Sequence, residues 1–122
     1  LGIVPGFNGT QRLPKCIGMN KAKEILFTGK MLTAADALEL GILNHVTEPE
    51  QLMDEVYAMA GQIADNSASA ISLVKAAVNA GADMDIDIGK NIELGYMAAC
   101  FGTPDQIEGF ASFKEKRAAK FR

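Results

Sequence analysis

The residue types that could do chemistry in this chain are glycines, a histidine and two groups of charged side chains. Gly2, Gly6 and Gly9 surround Pro5 in the first ten residues. Their backbone N–H groups could bind an anion or a water molecule near a helix that we predict to begin at Thr10. The spacing matches neither a dinucleotide-binding motif nor a P-loop. Tight turns use the same residues, so the loop alone favours a structural role over ligand binding.

The histidine and the acidic residues are weaker candidates. His45, the only histidine in the sequence, has no acidic or nucleophilic residue at a readable spacing, which favours a structural role over a catalytic one. Asp83, Asp85 and Asp87 imitate the beginning of a calcium-binding EF-hand loop. The segment does not match the complete loop pattern, because Ile88 replaces the required glycine and the last position of the loop lacks glutamate. The sequence therefore predicts a solvated acidic turn and no metal site.

A basic run closes the chain: Lys114, Lys116, Arg117, Lys120 and Arg122. Because cations stabilise a helix C-terminus, a solvated helix end and a site for an anionic ligand remain as alternatives. Phe113 lies three residues before Lys116, a spacing that places two side chains on one face of a helix. The two residues could therefore act together on one ligand.

The elements that must position these residues are predicted to be helices. With 122 residues, of which 48% are apolar and 22% charged, the chain suits one small domain with a buried core and is not disordered. We predict a mainly α chain of about seven short helices, with one short strand at residues 42–46. Thr33 is a helix start signal, with Asp36 three residues later. Thr103 is a strong helix start, because it opens a T-x-x-Q capping box with proline at the next position. The helix over residues 86–101 is apolar on two faces, which predicts self-association or binding to another part of the protein.

The composition excludes several classes of function. A net charge of −3 and a pI near 5.1 do not fit the basic surface of nucleic-acid-binding proteins. No apolar run reaches the roughly 20 residues of a membrane span, and the first residues do not resemble a signal peptide. The two cysteines lack the spacing of a metal site or of a disulfide framework. We therefore expect a cytoplasmic protein with no nucleic-acid partner and no membrane association.

Three segments resemble motifs of one enzyme family. Residues 1–13, LGIVPGFNGTQRL, resemble the L-G-x-x-P-G-x-G-G-T-Q-R-L signature of the crotonase superfamily, the enoyl-CoA hydratases and isomerases. Asn8 departs from it at a position that is usually glycine. The stretch from Leu26 through residues 34–43 is similar to the family's L-T-G and A-x-x-A-x-x-x-G-L-V motifs, and residues 113–117 are similar to its terminal F-x-E-K-R. The resemblance covers all 122 residues.

The resemblance implies a lyase, an enoyl-CoA hydratase that reversibly adds water to 2-enoyl-CoA thioesters, with short substrates such as crotonyl-CoA. The chain would be the C-terminal portion of a crotonase, which has an α/β spiral fold. Residues 1–48 would end the spiral core, and residues 49–122 would form the helical region for oligomerisation and CoA contact. Two catalytic glutamates and the oxyanion hole would lie upstream of Leu1, so the isolated chain is expected to be inactive.

The resemblance also implies roles for individual residues. The backbone N–H of Gly6 would hold the catalytic water, while Phe113 and Lys116 would contact the adenine and a phosphate of CoA. CoA is part of the substrate, so no separate cofactor is expected. The expected partners are the acyl-CoA thioester and further copies of the protein, in a trimer or a dimer of trimers. The alternatives are another crotonase reaction, either isomerisation or thioester hydrolysis, and a non-catalytic helical interaction module.

Overall fold

Helices account for all the regular structure of residues 1–121, which are the residues that the computed structural model describes; Arg122, the last residue of the basic run, lies outside them. Seven α-helices follow one another in the described part: α1 Gly9–Ile17, α2 Met19–Thr28, α3 Ala34–Glu39, α4 Leu52–Ala64, α5 Ala68–Gly81, α6 Ile86–Cys100 and α7 Pro104–Glu115. The 3₁₀ turn Pro49–Gln51 leads into α4. The predicted mainly α class with about seven short helices is confirmed.

The chain divides into two compact units. The first is Leu1–Leu52, which contains α1 to α3, and the second contains the residues from Met53 onward. Within them, α1 packs against α2 and α5 packs against α6. The predicted division after residue 48, with a role for each part, stays a prediction.

Residues 42–46 do not form a strand, and that prediction is wrong. Residues 1–121 contain no strand with which this segment could pair. Its first backbone groups instead close the end of α3, because Ile42 donates its N–H to the carbonyl oxygen of Ala37 at 2.8 Å. Gly41 has a left-handed φ of 73° and donates to Leu38 at 3.0 Å. These two bonds form a Schellman motif, so the helix end uses the donors that a sheet would need.

The predicted helix starts at Thr33 and Thr103 are confirmed. Thr33 Oγ1 accepts the backbone N–H of Asp36 at 3.1 Å, and the Asp36 carboxylate accepts the backbone N–H of Thr33 at 2.9 Å. The hydrogen bonds from the Thr33 side chain and backbone hold the pKa of Asp36 below its usual value. Thr103 Oγ1 accepts from Gln106 at 3.2 Å, but the Gln106 side chain accepts from Gly102. The Gln106 side chain therefore bonds to the backbone N–H of Gly102, one residue before the Thr103 N–H that a capping box would use.

The first helix begins one residue before Thr10, so the prediction that Thr10 caps it is wrong. Helix α1 begins at Gly9, and Asn8 precedes it with a left-handed φ of 66°. The carbonyl oxygen of Asn8 accepts the N–H groups of Gln11 and Arg12 at 3.0 and 2.8 Å. Asparagine is one of the few residues other than glycine that adopt this conformation readily. Asn8 therefore preserves a loop conformation that suits the glycine of the crotonase signature.

Several apolar residues of helix α6 and of its C-terminal cap are exposed. Ile88, Leu94, Met97 and Phe101 are between 51% and 60% exposed. A helix that is apolar over so much of its circumference is normally covered on both sides. Its surface in this chain is therefore suited to contact with another polypeptide. None of the helices in the described residues combines the length and apolar character needed to cross a bilayer.

Candidate functional site

The candidate site lies at the C-terminal end of α7. Phe113 is in the last turn of this helix and is 87% exposed. Lys116 follows the last helical residue and is exposed as well. The structure therefore keeps the predicted pair at one helix end. Because Lys116 lies beyond the helix, however, the predicted shared helix face does not describe the pair.

The backbone of Lys116 has a conformation that lysine seldom adopts. Its φ and ψ are 55° and 39°, in the left-handed region. Lys116 donates its N–H to Phe113 at 3.3 Å, and Arg117 donates to Ser112 at 3.1 Å. These bonds form a second Schellman motif with lysine in the position where glycine is usual. The left-handed conformation costs a residue with a side chain about 1 kcal/mol or more.

Arg117 holds the turn after α7 through two carboxylates. Its Nη1 and Nη2 donate to Oε1 and Oε2 of Glu108 at 2.5 and 2.9 Å. Its Nε donates to Glu115 at 2.6 Å, and Nη1 also donates to the carbonyl oxygen of Ala118 at 3.1 Å. Glu108 accepts in addition the backbone N–H of Lys120 at 2.8 Å. We refer to Glu108, Glu115 and Arg117 as the arginine clamp.

The hydrogen bonds of the arginine clamp shift the pKa values of Glu108 and Arg117. The side-chain hydrogen bonds from Arg117, followed by the backbone bond from Lys120, lower the pKa of Glu108 to about 2. Hydrogen bonds to Glu108 and Glu115 raise the pKa of Arg117. A lowered carboxyl pKa stabilises the folded chain above the ordinary value near 4.5, and this contribution disappears as the pH falls toward 2. The Glu108–Arg117 pair is therefore ionised throughout the neutral pH range.

Residues 118–121, which follow Arg117, run back alongside α7. A Cβ at Gly109 would lie 3.7 Å from the ring of Phe121, which is an ordinary van der Waals contact. Phe121, Phe110 and Phe113 border a groove of about 490 Å³, which we refer to as the aromatic groove. Cys100 and Ser67 also line it. The groove thus offers aromatic surface directly beside the exposed ring of Phe113.

One end of the aromatic groove is polar and joins the starts of two helices. Ser67 is only 6% exposed and caps α5 by accepting the N–H of Ala70 at 3.1 Å. It also donates to Asp105 in the first turn of α7 at 2.6 Å. The sequence does not predict this contact, because the two residues are 38 positions apart and no local pattern connects them. Only the capping role of Ser67 carries a local signal, a serine directly before an apolar helix.

Gly6 lies in the turn that precedes α1 and is exposed. It is not among the residues with positive φ. A Cβ at this position would meet only the carbonyl oxygen of Val4, at 4.0 Å. The turn itself therefore does not require glycine here, either by its conformation or by its packing. The other candidates give no site: His45 is exposed, and the described residues contain no cluster of acidic, histidine or cysteine side chains that could hold a metal ion.

Known proteins match the chain over its full length. A family model described as enoyl-CoA hydratase/isomerase matches residues 1–122. The crotonyl-CoA hydratase of Syntrophomonas wolfei subsp. wolfei is 46% identical over 121 residues, which cover 99% of this chain and 46% of that protein. The short-chain-enoyl-CoA hydratase of Clostridioides difficile is 46% identical over 114 residues, covering 93% of this chain and 74% of that protein.

A solved structure agrees with these relatives. The enoyl-CoA hydratase of Bacillus anthracis superposes with a TM-score of 0.93 at 36% sequence identity, covering 98% of this chain and 46% of that one. The chain thus spans about half the length of this protein and of the crotonyl-CoA hydratase.

Proposed function

Because the chain belongs to the enoyl-CoA hydratase/isomerase family, we propose that it forms the C-terminal part of a hydratase that acts on short 2-enoyl-CoA thioesters. Its helical structure is that of crotonase-fold enoyl-CoA hydratases. The observation that carries the reaction is the 46% identity to a crotonyl-CoA hydratase over nearly the whole chain. In the proposed reaction, water adds across the carbon–carbon double bond and the thioester bond stays intact.

In this proposal the residues of the chain bind and orient the substrate and the attacking water, while proton transfer takes place elsewhere in the enzyme. Two glutamates outside these 122 residues would handle the water and its proton, and an oxyanion hole would stabilise the enolate. Gly6 would donate its backbone N–H to the attacking water. Pro5 restricts the turn, and the absence of a side chain on Gly6 lets a ligand approach the backbone closely.

The end of α7 would bind the CoA part of the substrate. The ring of Phe113 is 87% exposed, and an exposed aromatic ring can cover the adenine. The ammonium group of Lys116 would meet a phosphate as a point charge. CoA enters as part of the substrate, so the proposal includes no separate cofactor.

The proposal includes assembly into a homo-oligomer, a trimer or a dimer of trimers. It is supported by the open apolar faces of α6 and by the apolar stripe of α4: Leu52, Val56, Met59 and Ile63 are 37% to 53% exposed. Large apolar patches on a soluble protein mark contact surfaces. A cytoplasmic location also belongs to this proposal.

Replacing Lys116 by alanine tests the CoA site. In the complete enzyme, Lys116→Ala is expected to raise KM for crotonyl-CoA about tenfold, since a hydrogen bond to a charged group contributes about 1.5 kcal/mol or more. The value of kcat should stay nearly unchanged, because the lost contact is remote from the reacting atoms. The KM increase should be larger at low ionic strength, where charges are less screened.

Lys114→Ala is the matched control, because Lys114 is an exposed lysine in the last turn of the same helix. It should leave KM within about twofold of the native value, as for a surface charge without a ligand contact. An unchanged KM in Lys116→Ala, with a lower melting temperature, would contradict the assignment of Lys116 to CoA binding.

A further inference from the structure

The left-handed backbone of Lys116 is held by its neighbour. Lys116 carries a side chain at φ 55°, and such strained positions persist only where the surrounding structure holds them. Within the turn, two backbone hydrogen bonds close the Schellman motif. The next residue, Arg117, adds four hydrogen bonds by donating to Glu108, Glu115 and the carbonyl oxygen of Ala118. The anchoring of Arg117 therefore fixes the chain on the C-terminal side of Lys116.

The donors of Arg117 are directed at the protein. Nη1, Nη2 and Nε each donate to a carboxylate of α7. Both oxygens of Glu108 accept from the same guanidinium, in the forked geometry that gives arginine pairs their directionality. A guanidinium engaged in this way is poorly placed to bind a phosphate as well.

We infer that Arg117 is a positioning residue for Lys116: by pairing with Glu108 and Glu115, it holds the turn that presents the Lys116 ammonium group beside Phe113 to the phosphate of a CoA thioester. The inference rests on the proposed function, because it concerns how the CoA site is pre-organised. It assigns the basic run two different tasks. Lys116 contacts the ligand, and Arg117 contacts only the protein.

Lysine cannot replace arginine in this role. Its single ammonium group is a compact charge without a planar fork, so it cannot hold both oxygens of Glu108 and the carboxylate of Glu115 at once. Arg117→Lys therefore keeps the net charge of the site while loosening the turn. Any long-range attraction for an anionic ligand stays the same, and only the placement of Lys116 changes.

A double-mutant cycle in the complete enzyme tests the inference with crotonyl-CoA as the substrate. Arg117→Lys should raise KM about three- to fivefold, which corresponds to the cost of ordering one long side chain on binding. The value of kcat should not change. In the Lys116→Ala background, the same Arg117→Lys replacement should produce no further increase in KM, since it acts only through Lys116.

Glu108→Gln is a second variant in case Arg117→Lys reduces the yield of folded enzyme. The amide keeps an acceptor for the backbone N–H of Lys120 but loses the ionic pair with Arg117. Glu108→Gln should raise KM about two- to threefold. In the Lys116→Ala background it should cause no further increase in KM.

Two results would overturn the inference alone. One is an unchanged KM in both Arg117→Lys and Glu108→Gln. The other is an Arg117→Lys increase of the same size in the Lys116→Ala background, which would mean that Arg117 binds the ligand directly. If Lys116→Ala itself leaves KM unchanged, the proposed CoA site fails together with the inference.

Discussion

The isolated chain of 122 residues is expected to hydrate crotonyl-CoA no faster than buffer does. The proposed function assigns the catalytic glutamates and the oxyanion hole to residues outside this chain. A general base works best with a pKa near the working pH. Hydrogen bonds from Thr33 lower the pKa of Asp36, and hydrogen bonds from Arg117 lower the pKa of Glu108. Those two groups therefore act as hydrogen-bond acceptors in the fold and are poor bases.

The measurement compares the isolated chain with the complete enzyme at equal molar concentration, following the loss of the conjugated thioester absorbance. Enzymes commonly accelerate reactions about a millionfold or more, so the difference should be unmistakable. Circular dichroism serves as the control that the isolated chain is helical in the assay. Hydration well above the buffer rate by the helical chain would contradict the assignment of the chemistry to the rest of the enzyme.

Replacing Gly6 by valine is expected to lower kcat of the complete enzyme about a hundredfold, because displacing a reacting group by about 1 Å can cost that much. The structure separates this effect from folding. A Cβ at Gly6 would meet only the Val4 carbonyl oxygen, at 4.0 Å. Gly6→Ala should therefore leave the melting temperature nearly unchanged and lower kcat less than Gly6→Val does.

Gly9 in the same loop provides the contrast. A Cβ at Gly9 would lie 3.0 Å from Cβ of Pro5, which is too close without a shift of the loop. Gly9→Ala should lower the melting temperature, whereas Gly6→Ala should not. If Gly6→Val leaves kcat/KM at the native value, the loop only shapes the fold and the role assigned to Gly6 is wrong.

Local signals account for the parts of the fold that the sequence predicted correctly. Thr33 and Thr103 cap helices through bonds to residues three positions away, so the pattern and the structure lie in the same short segment. The segment at residues 42–46 fails because a strand depends on a partner elsewhere. Its apolar composition cannot reveal that Ile42 bonds back to α3.

The geometry of the Phe113–Lys116 pair differs from the prediction, and the binding role of the two residues stays a prediction. Phe113 and Lys116 were found through the terminal motif, which carries no information on where α7 ends. The left-handed turn at Lys116 depends on Arg117 reaching Glu108, nine residues earlier. A lysine gives no signal for such a turn, because glycine is the residue that normally marks it.

Identifying the product that the complete enzyme forms from crotonyl-CoA tests the central claim most directly. The proposed function predicts 3-hydroxybutyryl-CoA, which contains one added water and an intact thioester, and which returns to crotonyl-CoA when supplied as the substrate. Release of free CoA thiol would show hydrolysis of the thioester. A product of unchanged mass with a moved double bond would show isomerisation. Either of these as the main product would contradict the assignment of this chain to a hydratase.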